Sequence, residues 1–484
     1  MMLTGAQMLA LLPLLLMAAG ITGVMLLIAA SRVHRAVAQL TTLGFILTFL
    51  ACLIPQDAVE VTPLLMMDDY ARFVIALISF AGAATTFLLY GYMTGYPGNV
   101  EEMYLLLLVA VLGAMILACA RHAASLLLGL EIMTIALFGM IAYPVRLKRP
   151  LEAGIKYLIL SAAASAVMFF GFALLYAATG TLQFEPLHDA IIRTTARGDQ
   201  TLIWVGAALA WVGFGFKLSL VPFHLWTADV YEGAPAPVTG LLATVSKGAV
   251  AALLLRYLDA VQLAQMPSLY ATLSIIAAVT ILAGNVLALM ENNVKRMLAY
   301  SSIAHFGYLL VPFLAAGPTA NEAVLFYLVA YTIMTLGTFG AVTMMSSPHH
   351  DKEADHLYDY RALFWRRPLI TAILVPMLLA QAGVPLTVGF LAKFYVLAAG
   401  VEQHAWLLAT MVVVGSSIGL FYYLRLASVQ FLPRPEGQAR EGVFSEITIT
   451  AAFSMLVLFG LLFWIGTFPS TLLRWMAPAV AALG

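Results

Sequence analysis

Three features of the sequence predict an all-α polytopic membrane protein. Of 484 residues, 63% are hydrophobic and only 10% charged, whereas a soluble domain carries roughly 25% charged residues. There is too little charge to cover a water-facing surface. The apolar residues gather into long runs, and a hydrocarbon core needs about 20 of them per helix. No run alternates apolar and polar residues as the strands of a membrane β-barrel do.

Measured against that length, the chain holds fourteen runs, at about 8–30, 36–54, 72–94, 103–120, 122–143, 154–178, 201–222, 236–258, 268–290, 294–315, 321–346, 368–397, 405–431 and 444–466. The first has neither a basic leader nor a small-residue cleavage site, so it reads as a retained span. Runs four and five are divided only by the tight 120–122 turn. Cys52 and Cys119 both fall in apolar runs and form neither a disulfide framework nor a metal pair. With 24 basic and 24 acidic residues the chain is formally neutral, which gives no pull towards nucleic acid.

Orientation follows from the basic residues. Loops after odd-numbered runs hold Arg32, Arg35, Arg146, Lys148, Arg149, Lys295, Arg296, Lys352, Arg361, Arg366, Arg367, Arg434 and Arg440, thirteen in all. The opposite side holds six: Arg72, Arg121, Arg193, Arg197, Arg256 and Arg474. The excess of positive charge marks the odd loops as cytoplasmic and puts both termini on the other face.

Five basic residues remain within runs: Lys156, Lys217, Lys247, Lys393 and Arg425. Arg425 lies near a helix end, where it can snorkel. The one acid deep in a run is Glu131, in SLLLGLEIMTIALFG. Lysine in hydrocarbon is costly, so such residues face an interior cavity and carry function. The stretch 214–247, FGFKLSLVPFHLWTADVYEGAPAPVTGLLATVSK, puts Lys217, His224 and Lys247 around Pro222. Proline removes a donor and clashes with the preceding turn, so the helix is expected to loosen just after Lys217. A second broken helix is expected at 368–397, where Gly383 and Pro385 interrupt the run ahead of Lys393.

Runs seven and twelve are five apart and so enter the bilayer from opposite sides, the pattern of inverted five-helix repeats. The organisation predicted is three helices in 1–102, a first five-helix repeat over 103–258, a second over 259–431, and a last helix in 432–484.

Among the candidates, Glu131 faces surplus lysines, and moving a cation towards or away from it changes which group holds the proton. His224 is seven residues after Lys217, on roughly the same helical face. Its titration near neutrality suits a proton relay; the plainer role is capping carbonyls around the Pro222 break. His305, in YSSIAHFGYLL, is either a relay between the halves or a packed core histidine. Lys156 is near a helix end, where a snorkelling surface lysine is the plain reading. His349, His350 and His356 stand beside acids in SPHHDKEADHLYDYRALFWRR but lack paired metal spacing. That segment reads as a cytoplasmic loop with a short interfacial helix. The sequence has no phosphate-binding GxxxxGK[ST] loop, no dinucleotide fingerprint and no cysteine cluster, so no site for ATP, NADH, flavin or iron–sulfur clusters is expected in this chain.

FKLSLVPFHLWTADVYEGAPAPVTGLLATVSKGA resembles the signature of the antiporter-like membrane subunits of respiratory complex I, the NADH–quinone oxidoreductase. RMLAYSSIAHFGYLL is a second point of likeness and Lys393 a third. The PFHLW and DVYEGAPAPVT wording favours one branch of that family over its sisters and over the Mrp-type cation/proton antiporters. The likeness spans runs four to thirteen, and the full count of fourteen favours a bacterial protein. Ala228 departs from the pattern, which has proline there. The resemblance implies that Glu131 is the helix-5 acid and Lys156 the modulating lysine on helix 6. It makes Lys217 the lysine that binds the pumped proton, followed by His224 and Lys247 along a polar axis, and gives Lys393 the exit gate. It also implies that NADH, FMN, iron–sulfur clusters and quinone belong to partner subunits, and that neighbouring membrane subunits and the lipid bilayer are this chain's partners.

The expected function is proton translocation by Glu131, Lys156, Lys217, His224, Lys247, His305 and Lys393, driven by quinone reduction elsewhere in the complex. One rival is a stand-alone or Mrp-type cation/proton antiporter. Sodium prefers carboxylate and carbonyl oxygens, and the interior offers only Glu131. A scaffold with structural ion pairs is the other; four buried lysines against one acid leave cations unpaired, which is costly.

Overall fold

The computed structural model describes residues 4–196, 200–262, 267–347, 353–433 and 447–483. The chain is a helical membrane bundle. It opens with α1 (Gly5–Ala10), α2 (Leu12–Ala30) and α3 (His34–Cys52), then a short antiparallel hairpin of β1 (Val59–Thr62) and β2 (Leu65–Met67). There follow α4 (Asp69–Met93), α5 (Glu101–Ala118), α6 (Ala123–Ile141), α7 (Lys148–Thr179) and α8 (Phe184–Ala196). The first broken span is α9 (Thr201–Leu218) with α10 (Leu225–Gly233). Next, α11 (Ala236–Leu241) runs through a π-helical turn, Leu242–Ser246, into α12 (Lys247–Val261). The second half holds α13 (Pro267–Met290), α14 (Val294–Ala315), α15 (Pro318–Met345), the single turn α16 (Leu363–Arg366), α17 (Pro368–Ala382) with α18 (Val388–Glu402), and α19 (Trp406–Val429). It closes with α20 (Ile449–Thr467) and α21 (Pro469–Ala481).

Among the described residues, thirteen helices are long and apolar enough to cross a membrane. The fourteenth run is the broken pair α17 and α18, each too short alone. Helix ends follow local chemistry. Asp68 caps α4 by accepting from the Ala71 amide at 2.8 Å, and Asn293 caps α14 through the Arg296 amide at 3.0 Å; each satisfies a donor that the first turn leaves free. Gly180, with φ +75°, closes the 32-residue α7, a left-handed conformation that glycine adopts freely.

Small residues let helices approach in the absence of a hydrophobic drive between them. A methyl on Gly113 would meet the Gly129 carbonyl oxygen at 2.7 Å, joining α5 to α6. One on Gly171 would meet the Gly206 carbonyl oxygen at 2.6 Å, joining α7 to α9. Gly284 is equally close to the Ala304 amide, joining α13 to α14. These contacts leave α11–α12, α14 and α15 at the centre; the most apolar part of α15 is entirely buried, whereas that of α2 is 17% buried.

The structure departs from the sequence reading at several points. The run at 201–222 is helical only to Leu218, and α12 continues to Val261, past the expected repeat boundary at 258. The segment 432–484 carries two helices, since α21 follows α20 and packs on α4 and α15, with the Trp475 and Phe73 rings 4.8 Å apart. The polar stretch between runs six and seven contains α8. The tight 120–122 turn is stitched by Met66 N to Cys119 O at 2.9 Å and Phe184 N to Arg121 O at 3.0 Å, so runs four and five are separate helices. Cys52 and Cys119 are buried and free. His349 and His350 lie outside the described residues, as do Lys352, Arg434 and Arg440; His356 precedes a 3-10 turn, Leu357–Tyr360.

Candidate functional site

The first break does what Pro222 predicts. α9 stops one residue after Lys217, Ser219 takes φ +61°, and the backbone is irregular until α10 begins. Irregular backbone at membrane depth needs internal partners, and it has them. Trp226 donates from Nε1 to the Phe216 carbonyl at 3.0 Å, and the Val221 amide donates to Thr280 Oγ1 on α13 at 3.1 Å. Thr227 Oγ1 donates to Ser219 Oγ at 2.7 Å.

Lys217, 5% exposed, projects from the last turn of α9 towards α6 and α7. Its Nζ donates to Thr134 Oγ1 at 2.9 Å and to Ser161 Oγ. Glu131 lies one turn before Thr134 on α6 but makes no ion pair with Lys217 within 4 Å among the described residues. Its Oε1 is buried and has no hydrogen-bond partner among the described residues. The expected facing of acid and amine is therefore a proximity, with two hydroxyls holding the ammonium instead.

Lys247 begins α12 directly after the π-helical turn, a feature frequent at functional sites. It is 1% exposed, donates to Ser302 Oγ on α14 at 2.9 Å, and lies 5.3 Å from the ring centroids of both Tyr231 and Phe306. Tyr331 OH donates to the same Ser302 oxygen at 2.7 Å.

His305, one turn further along α14, uses both ring nitrogens: Nδ1 is 2.7 Å from Tyr327 OH and Nε2 is 3.0 Å from Tyr423 OH. Tyr423 also bonds Ser301 Oγ. A second chain of hydroxyl and amide groups runs from Tyr422 OH to Asn285 Oδ1 at 3.1 Å, then from Asn285 Nδ2 to Tyr308 OH at 2.8 Å. Lys393 Nζ lies 5.4 Å from the Tyr308 ring centroid.

Lys393 sits beside the second break, where Gly383, at φ +93°, ends α17. Its side chain folds back and donates to the freed Ala382 carbonyl at 3.0 Å. The two breaks thus each present a lysine, the first before the interruption and the second after it.

Two candidates lie apart from this interior. His224, the N-cap residue just ahead of α10, is buried; its side chain makes no cap bond to the α10 amides and its Nδ1 has no partner among the described residues, but the ring interacts with the Pro222 backbone, in keeping with a histidine that caps the break. Lys156 is 42% exposed and is held by Glu152 at 2.8 Å and Asp229 at 3.0 Å; it joins a surface ion-pair group. The residues that sequence reasoning missed are Ser302, Tyr327, Tyr423 and Asn285, whose types carry no charge signal, together with Asp229 and Lys295. Lys295 was assigned to a loop, yet it is fully buried in the first turn of α14. Among the described residues no three His, Cys, Asp or Glu side chains group as a metal site.

Two broken helices, one beside the buried Lys217 and one beside the half-buried Lys393, define an ion-translocating type of membrane fold. The chain belongs to the family described as NADH:quinone oxidoreductase/Mrp antiporter, TM, which matches residues 120–419. It is 47% identical over 479 residues to NADH-quinone oxidoreductase subunit N of Ectopseudomonas mendocina (strain ymp), covering 97% of this chain and 96% of the relative. The branch picked out by the PFHLW and DVYEGAPAPVT wording is that of this relative. A chain of respiratory complex I from Thermus thermophilus with bound aureothin superimposes at TM-score 0.81 with 29% identity, over 96% of this chain and 98% of that one. The Mrp complex of Dietzia sp. DQ12-45-1b shares the fold at TM-score 0.83 and 18% identity, over 98% and 97%.

Proposed function

We propose that this chain is the proton-translocating membrane subunit of a NADH–quinone oxidoreductase in a bacterial inner membrane, with its termini on the periplasmic side. Other membrane subunits of the complex are its neighbours, and NADH, FMN, iron–sulfur clusters and quinone belong to partner subunits. The observation that carries the reading is a set of three lysines, Lys217, Lys247 and Lys393. Each is placed at a helix break or a π-helical turn, and none has a carboxylate within 4 Å among the described residues. A structural ion pair would put an acid there. Hydroxyls and a backbone carbonyl accept from the ammonium and leave it able to surrender the proton.

In the mechanism, a change relayed from the quinone-reducing part alters the approach of Glu131 to Lys217, which decides where the proton resides. The proton leaves Lys217 as its amine becomes neutral, is taken up by Lys247 with His224 beside the break, and crosses by His305 to Lys393, which releases it. Lys156 modulates the first step. Moving a unit charge across the membrane takes about 2.3 kcal/mol per 100 mV, so the redox reaction must drive it. The two halves are read as inverted five-helix repeats, α5–α12 and α13–α19, with the divide after Val261; the recurrence of a broken helix as the fourth span of each supports this.

Lys247→Ala in the whole complex, in sealed membrane vesicles, tests the proposal. NADH-driven proton uptake is expected to fall severalfold with the complex assembled. Wild-type uptake would contradict it, and sodium-dependent transport by the purified chain would favour the antiporter reading.

A further inference from the structure

Away from the interior lysines, a dense set of charges lies where α10 meets α14. Arg296, in the first turn of α14, donates from one guanidinium nitrogen to Asp229 Oδ1 at 2.8 Å and to Glu232 Oε2 at 3.0 Å. Its Nε reaches Glu291 Oε1 at 3.1 Å. Asn293, the N-cap of the same helix, donates to Glu232 Oε1 at 3.3 Å. Lys295 donates to the Ala234 carbonyl at 2.6 Å, just beyond the end of α10, and to Glu353 Oε2 at 3.0 Å. One helix turn of the second half therefore grips α10 at its middle and at its end.

α10 needs such a grip. It has nine residues, between the irregular 219–224 segment and the Ala234–Pro235 junction, and helices this short have little stability of their own. It packs between α7 and α14. Asp229 joins the two, since its second oxygen accepts from Lys156 Nζ on α7 at 3.0 Å. A cleft of about 180 Å³, lined by Glu152, Lys156, Asp229 and Glu232 among others, lies on this side of α10. On the other side stands α14, one continuous helix of 22 residues. Six residues after Arg296 it presents Ser302 to Lys247, and nine residues after, His305 to Tyr423.

We propose that Asp229 and Arg296 are positioning residues: their ion pair locks the second segment of the broken helix to α14, so that a shift of α10 changes the contacts of Lys247 and His305 in step. Neither touches the translocated proton. A single half-exposed pair is weak, but a planar guanidinium shared among three carboxylates fixes an orientation as well as a distance. The inference rests on the proton-translocation reading.

The test uses Asp229→Asn, Arg296→Gln and Arg296→Lys in the whole complex, with assembly followed on native gels. NADH oxidation and protons taken up per NADH are read in sealed membrane vesicles. The lock predicts assembled complexes in which protons per NADH fall for Asp229→Asn and Arg296→Gln, and fall less for Arg296→Lys, which keeps the charge without the fork. A merely structural staple would lower the amount of complex and leave the ratio at its wild-type value. That result overturns the proposal, as does loss of assembly in all three variants. Lys217→Ala, measured alongside, separates the two claims. If it has no effect, the translocation reading fails. If it impairs pumping while the three variants keep the wild-type ratio, only the lock fails.

Discussion

Tyr423 shows how a neutral side chain can matter as much as a charged one. Its hydroxyl lies between Ser301 and the Nε2 of His305, and both sites are buried. Tyr423→Phe keeps the ring and removes the link, leaving a buried polar atom unpaired at a cost of about 1–3 kcal/mol. The expected result is an assembled complex whose proton pumping is severalfold slower, measured in sealed vesicles; unchanged pumping would remove Tyr423 from the path. At this scale the sequence is legible where charge is out of place. Lys217, Lys247 and Lys393 announce themselves inside apolar runs. Tyr423, Ser302 and Asn285 do not, because their types are common in membrane helices and only the folded neighbourhood distinguishes them. Lys295 stayed hidden for another reason: it belongs to the polar turn ENNVKRM, and its burial depends on α10 and residue 353 closing over it.

Among the elements, the two breaks were readable because proline and glycine cannot continue a helix, and Pro222 and Gly383 stand at or beside the two interruptions. The π-helical turn before Lys247 has no such residue, and α8 and α21 are amphipathic pieces shorter than a span. Helix approach is likewise invisible to composition, since it depends on which glycines face each other. Gly171→Val is expected to push α7 from α9, an overpacking cost of about 1–3 kcal/mol, and to lower the amount of assembled subunit on native gels. Gly248→Ala adds a methyl that meets no atom within 4 Å and is expected to leave that amount unchanged. Equal behaviour of the two variants would mean that the close α7–α9 contact is not what holds these helices.

For the whole molecule, part of the polar interior lies on the most buried helices. α12 and α14 carry Lys247, Ser302 and His305 and are almost wholly enclosed, while α2 faces outward. A charge in such an interior is met by fixed hydroxyls and aromatic faces, as Lys247 is by Ser302, Tyr231 and Phe306. The central claim, that the buried lysines are proton sites coupled to a redox reaction elsewhere, is tested most directly by Lys217→Ala in the complete complex. NADH-driven quinone reduction and proton pumping are measured together, with assembly verified on a native gel. The account predicts that the assembled complex loses both activities in parallel. Wild-type rates of both in the assembled variant would contradict it and make Lys217 a structural residue.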